Sequence, residues 1–203
     1  MTQEHKQPQQ PPPYEPPPST GVPRLLTENS LVIQQTRSFL SNDFALEDER
    51  GMVLGRVHTT GSLAVNFLKG NRSFDLVDDR GQPLLTIRDP FDLGLDRYEL
   101  YKPDGSFFAH VQKHFSFLTK RLSIELPQLT LNLEGNLLEY SFNIMAGSTV
   151  AAQVSRQWGG LTSAIRGKSR YGVHLDPVAP AEVRLAIIGA LVALDLIRAK
   201  DSK

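Results

Sequence analysis

The chain has 203 residues, 40% of them hydrophobic and 22% charged, with 22 Lys and Arg against 22 Asp and Glu and no cysteine. That length suits one domain with an appendage. A balanced charge excludes a bulk electrostatic draw toward nucleic acid or membrane and leaves such a role to local patches, while the missing cysteines exclude disulfides, thiolate metal sites, Cys nucleophiles and S-palmitoylation.

Residues 1–24 read as a tail. They hold eight of the fourteen prolines, much Gln and few apolar side chains. Such a segment cannot bury enough surface to offset its ordering entropy, so disorder with polyproline II character is expected. Pro11-Pro12-Pro13-Tyr14 fits the PPxY pattern that WW domains read, which marks Pro11, Pro12 and Tyr14 as a candidate partner motif. The plainer reading is a solvated spacer. The start carries no apolar run of the secretory kind, so a cytoplasmic setting is expected.

Residues 25–203 read as one domain. Short stretches alternate apolar and polar residues, and a unit recurs. Phe44-Ala45-Leu46 runs into Asp48-Glu49-Arg50-Gly51, and Phe74-Asp75-Leu76 into Asp78-Asp79-Arg80-Gly81. Tyr98-Glu99-Leu100 runs into Pro103-Asp104-Gly105, and Leu131-Asn132-Leu133 into Glu134-Gly135. Period two puts one face of each strand on a core. The acidic turn with Gly supplies the positive φ of a tight hairpin. Four hairpins imply at least eight antiparallel strands, hence a sandwich or barrel.

The end of the chain changes character. Pro177 and Pro180 close off the strands, and a helix opens near Pro180 with Glu182 in its first turn, where a carboxylate meets the positive end of the dipole. From Leu185 to Leu194 no polar residue appears. A helix apolar all round lies inside protein or inside membrane. Ten residues span about 15 Å, against the roughly 30 Å of a bilayer core, so burial in protein is expected.

Ala152-Gln153-Val154-Ser155-Arg156-Gln157-Trp158-Gly159-Gly160, Tyr171-Gly172-Val173-His174-Leu175 and the run Ala186-Ile187-Ile188-Gly189-Ala190 together resemble phospholipid scramblases. The hairpin units resemble LURP-one-related proteins of the same tubby-like superfamily. The resemblance implies a closed antiparallel barrel of about twelve strands around a buried C-terminal hydrophobic helix. It also implies lipid contact of a non-enzymatic kind. Two features depart from the scramblase pattern. Where the family has an acidic calcium segment, this chain reads Arg166-Gly167-Lys168-Ser169-Arg170, the wrong donors for a cation that needs oxygen ligands. The acylated cysteines are also missing, which removes one of the two signals stable anchoring takes. Calcium is therefore not carried over, and no cofactor is expected.

No nucleophile elbow, P-loop or zinc-protease motif is present. His110 and His114 lie four apart with no Asp or Glu from 105 to 124, so metal ligation is not expected. The acidic pairs Asp48/Glu49 and Asp78/Asp79 fall in predicted turns. Two basic stretches remain: Lys113, Lys120 and Arg121, then Arg156, Arg166, Lys168 and Arg170. With Phe115, Phe117 and Trp158 near them, they suit an anionic headgroup or membrane surface, each cation adding about 1 kcal/mol. The expectation is a scramblase-like, non-enzymatic phospholipid-interacting protein, peripheral at the inner face of the plasma membrane. The alternative is a soluble scaffold whose tail recruits partners. Nucleic acid is not an expected partner.

Overall fold

The computed structural model describes residues 21–37, 42–60, 72–90, 97–115, 120–137, 139–156 and 170–201. A 3-10 turn at Arg24–Leu26 precedes twelve strands: β1 Ser30–Arg37, β2 Asn42–Glu47, β3 Val53–Thr60, β4 Arg72–Asp78, β5 Pro83–Asp89, β6 Arg97–Tyr101, β7 Phe107–Phe115, β8 Lys120–Leu126, β9 Leu129–Asn136, β10 Ser141–Ala146, β11 Thr149–Ser155 and β12 Arg170–Leu175. One helix, α1 Ala181–Asp201, follows. Every strand pairs antiparallel with its sequence neighbours, and β1 closes the barrel against β12.

Closure follows from the alternation. Phe44, Leu46, Phe74, Leu76, Leu85, Ile87, Tyr98 and Leu100 all point inward and are buried, so each strand has a face to hide. Twelve strands enclose a hollow too wide for wall side chains alone to fill. The helix fills it. Ala186 to Ile188 and Ala190 to Ile197 are buried on every side, which explains the missing polar stripe. The wall lies close against the helix at Gly189, where a Cβ would lie 2.6 Å from Leu85 Cδ2 and 3.0 Å from Leu100 Cδ1. Among the described residues no helix is long and apolar enough to cross a membrane.

The barrel has two unlike ends. At the end where α1 enters, the hairpins β2–β3, β4–β5 and β6–β7 return over Gly51, Gly81 and Gly105, each with φ near +80°. The Asp48 carboxylate accepts the N–H groups of Arg50 and Met52, and Asp78 accepts those of Arg80 and Gln82. These acids therefore serve the turns. Register shifts beside them, at Leu46/Glu47, Leu76/Val77 and Leu100/Tyr101, add the local twist that curls a sheet. Arg184 locks the helix at this end. Its guanidinium donates to the carbonyls of Glu28, Asp176, Pro177 and Ala179 and to Asn29 Oδ1, at 2.7–3.1 Å.

The fourth predicted hairpin needs correction. Gly135 is no turn residue; it lies within β9 opposite Phe142. Its φ is 132° and a Cβ there would meet Phe142 Cα at 2.8 Å. The glycine answers to a close backbone approach, and the chain reverses after it, at the far end of the barrel. Leu137 lies in that turn.

Candidate functional site

Inside the barrel, the middle is apolar and polar side chains gather at the ends. At the far end the centre is Asp195, the carboxylate that interrupts the apolar helix. Fourteen steps from Ala181, at 1.5 Å each, carry it about 21 Å through the barrel. That distance brings it level with the start of β12. Tyr171 donates to its Oδ2 at 2.9 Å and Tyr140 donates to its Oδ1. The two rings stack, with centroids 4.3 Å apart and planes 20° apart.

Tyr140 lies in the β9–β10 turn with φ of 50°. A left-handed backbone costs a residue with a side chain about 1 kcal/mol or more. Here it turns the ring onto Tyr171 and the hydroxyl onto Asp195. The guanidinium carbons of Arg198 and Arg156 stand 4.0 and 4.6 Å from the Tyr140 ring centroid. Arg198 also donates to the Leu137 carbonyl at 3.3 Å.

The electrostatics follow from burial. Desolvation lifts the Asp195 carboxyl from 3.8 to about 6, against the pull of the two tyrosine hydroxyls and of Arg198 and Arg156. Burial likewise pushes the Tyr171 phenol well above its ordinary value, and the charge of Asp195 adds to it. Tyr171 is thus a fixed donor.

A second cluster lies across the same mouth. Arg72 Nη2 is 3.1 Å from Asp89 Oδ2, and the buried Tyr98 hydroxyl donates to the same oxygen at 3.4 Å. Lys113 belongs to this layer. It alternates with the inward-facing Val111 and Ala109 and is buried, so it faces the barrel interior and not the outer wall. Among the described residues, this end holds the cations Arg72, Lys113, Arg156 and Arg198 and the acids Asp89, Glu139 and Asp195.

The basic residues read from sequence are placed differently. Lys113, in β7, and Arg156, just after β11, both lie at the far end of the barrel. Lys120 and Arg121 begin β8 at that end, opposite Phe115 and His114. Arg170 starts β12 there, but alternates out of phase with the buried Tyr171; its Nη2 lies 3.8 Å from Glu47, on the outer wall. Arg166 and Lys168 lie outside the described residues, as do Pro11, Pro12 and Tyr14.

The histidine pair stands on the outside of β7. His114 Nε2 lies 2.8 Å from Ser123 Oγ, which itself points to Glu125 Oε1 at 3.4 Å. Acid and imidazole both touch the serine, so the acid does not orient the imidazole as a relay needs. Among the described residues no group of three or more His, Asp or Glu is placed to hold a metal ion.

Asp195, Tyr140, Tyr171 and Arg198 carry the site, yet their sequence signal is faint. A lone Asp inside an apolar run is the only local sign. Its partner Tyr140 lies 55 positions away.

Comparison with known proteins gives three findings. Residues 29–195 match the family described as LURP-one-related. No curated protein matches. Among solved structures, the fold is similar to an X-ray structure of a protein from Arabidopsis thaliana, with a TM-score of 0.57 and 19% identity over 87% of this chain and 96% of that one. At that identity the likeness speaks for the fold alone.

Proposed function

The chain belongs to the LURP-one-related family, and from that premise we propose that it is a binding protein that docks on anionic phospholipid surfaces with the far end of its barrel and makes no covalent bonds. The observation that carries this reading is the polarity of the barrel. Among the described residues, the entry end carries Glu28, Asp48, Glu49, Asp78, Asp79, Asp104, Asp176 and Glu182 against Arg24, Arg50, Arg80, Lys102 and Arg184. The far end carries Arg72, Lys113, Arg156 and Arg198 against Asp89, Glu139 and Asp195, and β8 starts there with Lys120 and Arg121. A chain of zero net charge thereby acquires a field along its axis, which steers one end toward an anionic surface and turns the other away. The resemblance to scramblases supports a lipid as the source of that charge. The Pro-rich tail adds a separate proposal, recruitment of a WW-type partner through Pro11, Pro12 and Tyr14.

Vesicle co-sedimentation tests the reading. Binding should rise with the share of phosphatidylserine and fall with salt. Reversing Arg156, Lys120 and Arg121 to Glu should weaken it by about 100-fold, at roughly 1 kcal/mol per cation. Reversing Arg50 and Arg80 at the entry end should not. Equal binding to neutral vesicles, or equal loss from both sets, would overturn it.

A further inference from the structure

We infer that the outer wall carries a docking site for a proline-rich strand, an aromatic patch of Tyr101, Phe107 and His110, and that its occupant is the chain's own segment 8–18. The inference is independent of the lipid reading, which concerns the other end of the barrel.

A bulge builds the patch. Ala109 and Val111 face the core, so strict alternation would turn Phe107 inward as well. The register shift between Leu100 and Tyr101 pairs Phe107 with the outward Tyr101 instead. Phe108 is buried in its place, and Phe107 stands 42% exposed. Among the described residues it is the one aromatic side chain of the exposed large apolar set. Its ring meets Tyr101 edge-on at 6.0 Å and lies 4.5 Å from the His110 ring, centroid to centroid. Arg88 stands over the Tyr101 ring at 4.2 Å, and the Tyr101 hydroxyl donates to Glu99 at 2.8 Å. Three rings are thus held in a row across β6 and β7 before any ligand arrives, which lowers the cost of binding. The hairpin geometry does not itself ask for aromatics. At the equivalent bulges the paired residues are Glu47 with Val53 and Val77 with Pro83.

The occupant follows from composition and reach. Aromatic-lined surfaces are what proline-rich strands dock on. Pro8 and Pro11, like Pro13 and Pro16, lie three apart, which sets each pair on one edge of a polyproline II helix. The described chain starts at Gly21, just before Arg24, whose Nη1 is 3.1 Å from Met52 Sδ in the β2–β3 hairpin. From there the β6–β7 hairpin is four strands round the same rim, about 19 Å at about 4.8 Å per strand. Pro18 and Pro8 stand three and thirteen residues from Gly21. At about 3.1 Å per residue those separations are about 9 and about 40 Å, so the prolines bracket the distance. Tethering holds them at an effective concentration on the order of millimolar, enough for weak ring contacts to act. A docked tail holds Pro11, Pro12 and Tyr14 against the barrel, away from a WW-type partner.

The test uses the full chain. It has no cysteine, so Gln10→Cys gives a single attachment point for a nitroxide label, and NMR relaxation reads which amides the tail approaches. The β10–β11 turn at Gly147 and Ser148 lies equally many strands from the β2–β3 hairpin in the other direction. An undocked tail would visit both places alike. Docking predicts an enhancement at Ser106, Phe107 and His110 severalfold above that at Gly147 and Ser148, unchanged on dilution because the contact is within one chain. Phe107→Ser, a change to an exposed side chain, should bring the two places level. Pro11→Ala, Pro13→Ala and Pro16→Ala together, which leave the barrel untouched, should do the same. Equal enhancement at both places in the unaltered labelled chain, an excess that survives either set of changes, or an excess that fades on dilution, the mark of a second copy, would each overturn the inference.

Discussion

Asp195→Asn should stabilise the protein at neutral pH, although it removes a hydrogen-bonded, buried carboxylate. The carboxyl sits near 3.8 when solvated and near 6 in the fold, with burial the leading cause. Its folded form therefore holds a proton more tightly than its unfolded form. Between those values the native state binds more protons, so stability falls as pH rises and levels off above about 6.5. Two units at 1.36 kcal/mol each put the cost of the ionised group at about 3 kcal/mol at pH 7.5. The amide avoids that cost and still accepts from one tyrosine, losing about 1 kcal/mol at the other. The variant should gain about 2 kcal/mol at pH 7.5. It should be no more stable than wild type below about pH 4, where both groups are neutral. Urea unfolding followed by Trp158 fluorescence and circular dichroism across this range measures the difference. A variant less stable at pH 7.5, with the same pH profile as wild type, would refute the assignment of the cost to a buried charge.

Other consequences concern the same scaffold. Tyr171→Phe removes a hydroxyl that favours the charged carboxylate, so the stability loss attributed to Asp195 should extend above pH 6; a shift toward lower pH would contradict the donor role. Gly135→Ala should cost about 3 kcal/mol, since its Cβ meets backbone at 2.7 and 2.8 Å, whereas Gly81→Ala, with open space around it, should cost about 1 kcal/mol of backbone strain alone. Chemical denaturation of the pair ranks them. Gly189→Val should lose at least about 2 kcal/mol by forcing Leu85 and Leu100 apart and should speed amide exchange most in β5 and β6, read by hydrogen–deuterium exchange; unchanged protection there would mean that the helix passes the wall more loosely.

Much of the architecture was legible locally because its causes are local. Period-two runs such as Phe44-Ala45-Leu46 announce a strand with one buried face. Gly51, Gly81 and Gly105 announce turns, because only glycine takes that backbone angle freely. The run from Leu185 to Leu194 announces burial, being apolar all round and too short for a bilayer. Gly135 misled for the same reason. Glycine answers both to a turn and to a tight contact, and which one applies depends on a strand seven residues further on.

The sequence by itself determined an antiparallel β domain with a sheathed helix and a charge balance left to patches. Only the tertiary structure decided where that charge lies. Register across twelve strands turns Lys113 inward and Arg170 outward, gathers basic groups at one mouth, and sets Tyr140 and Tyr171 on Asp195 from 55 and 24 positions away. Barrel closure is a non-local event: it sorts side chains by strand parity and axial height, and neither quantity is defined until β1 meets β12.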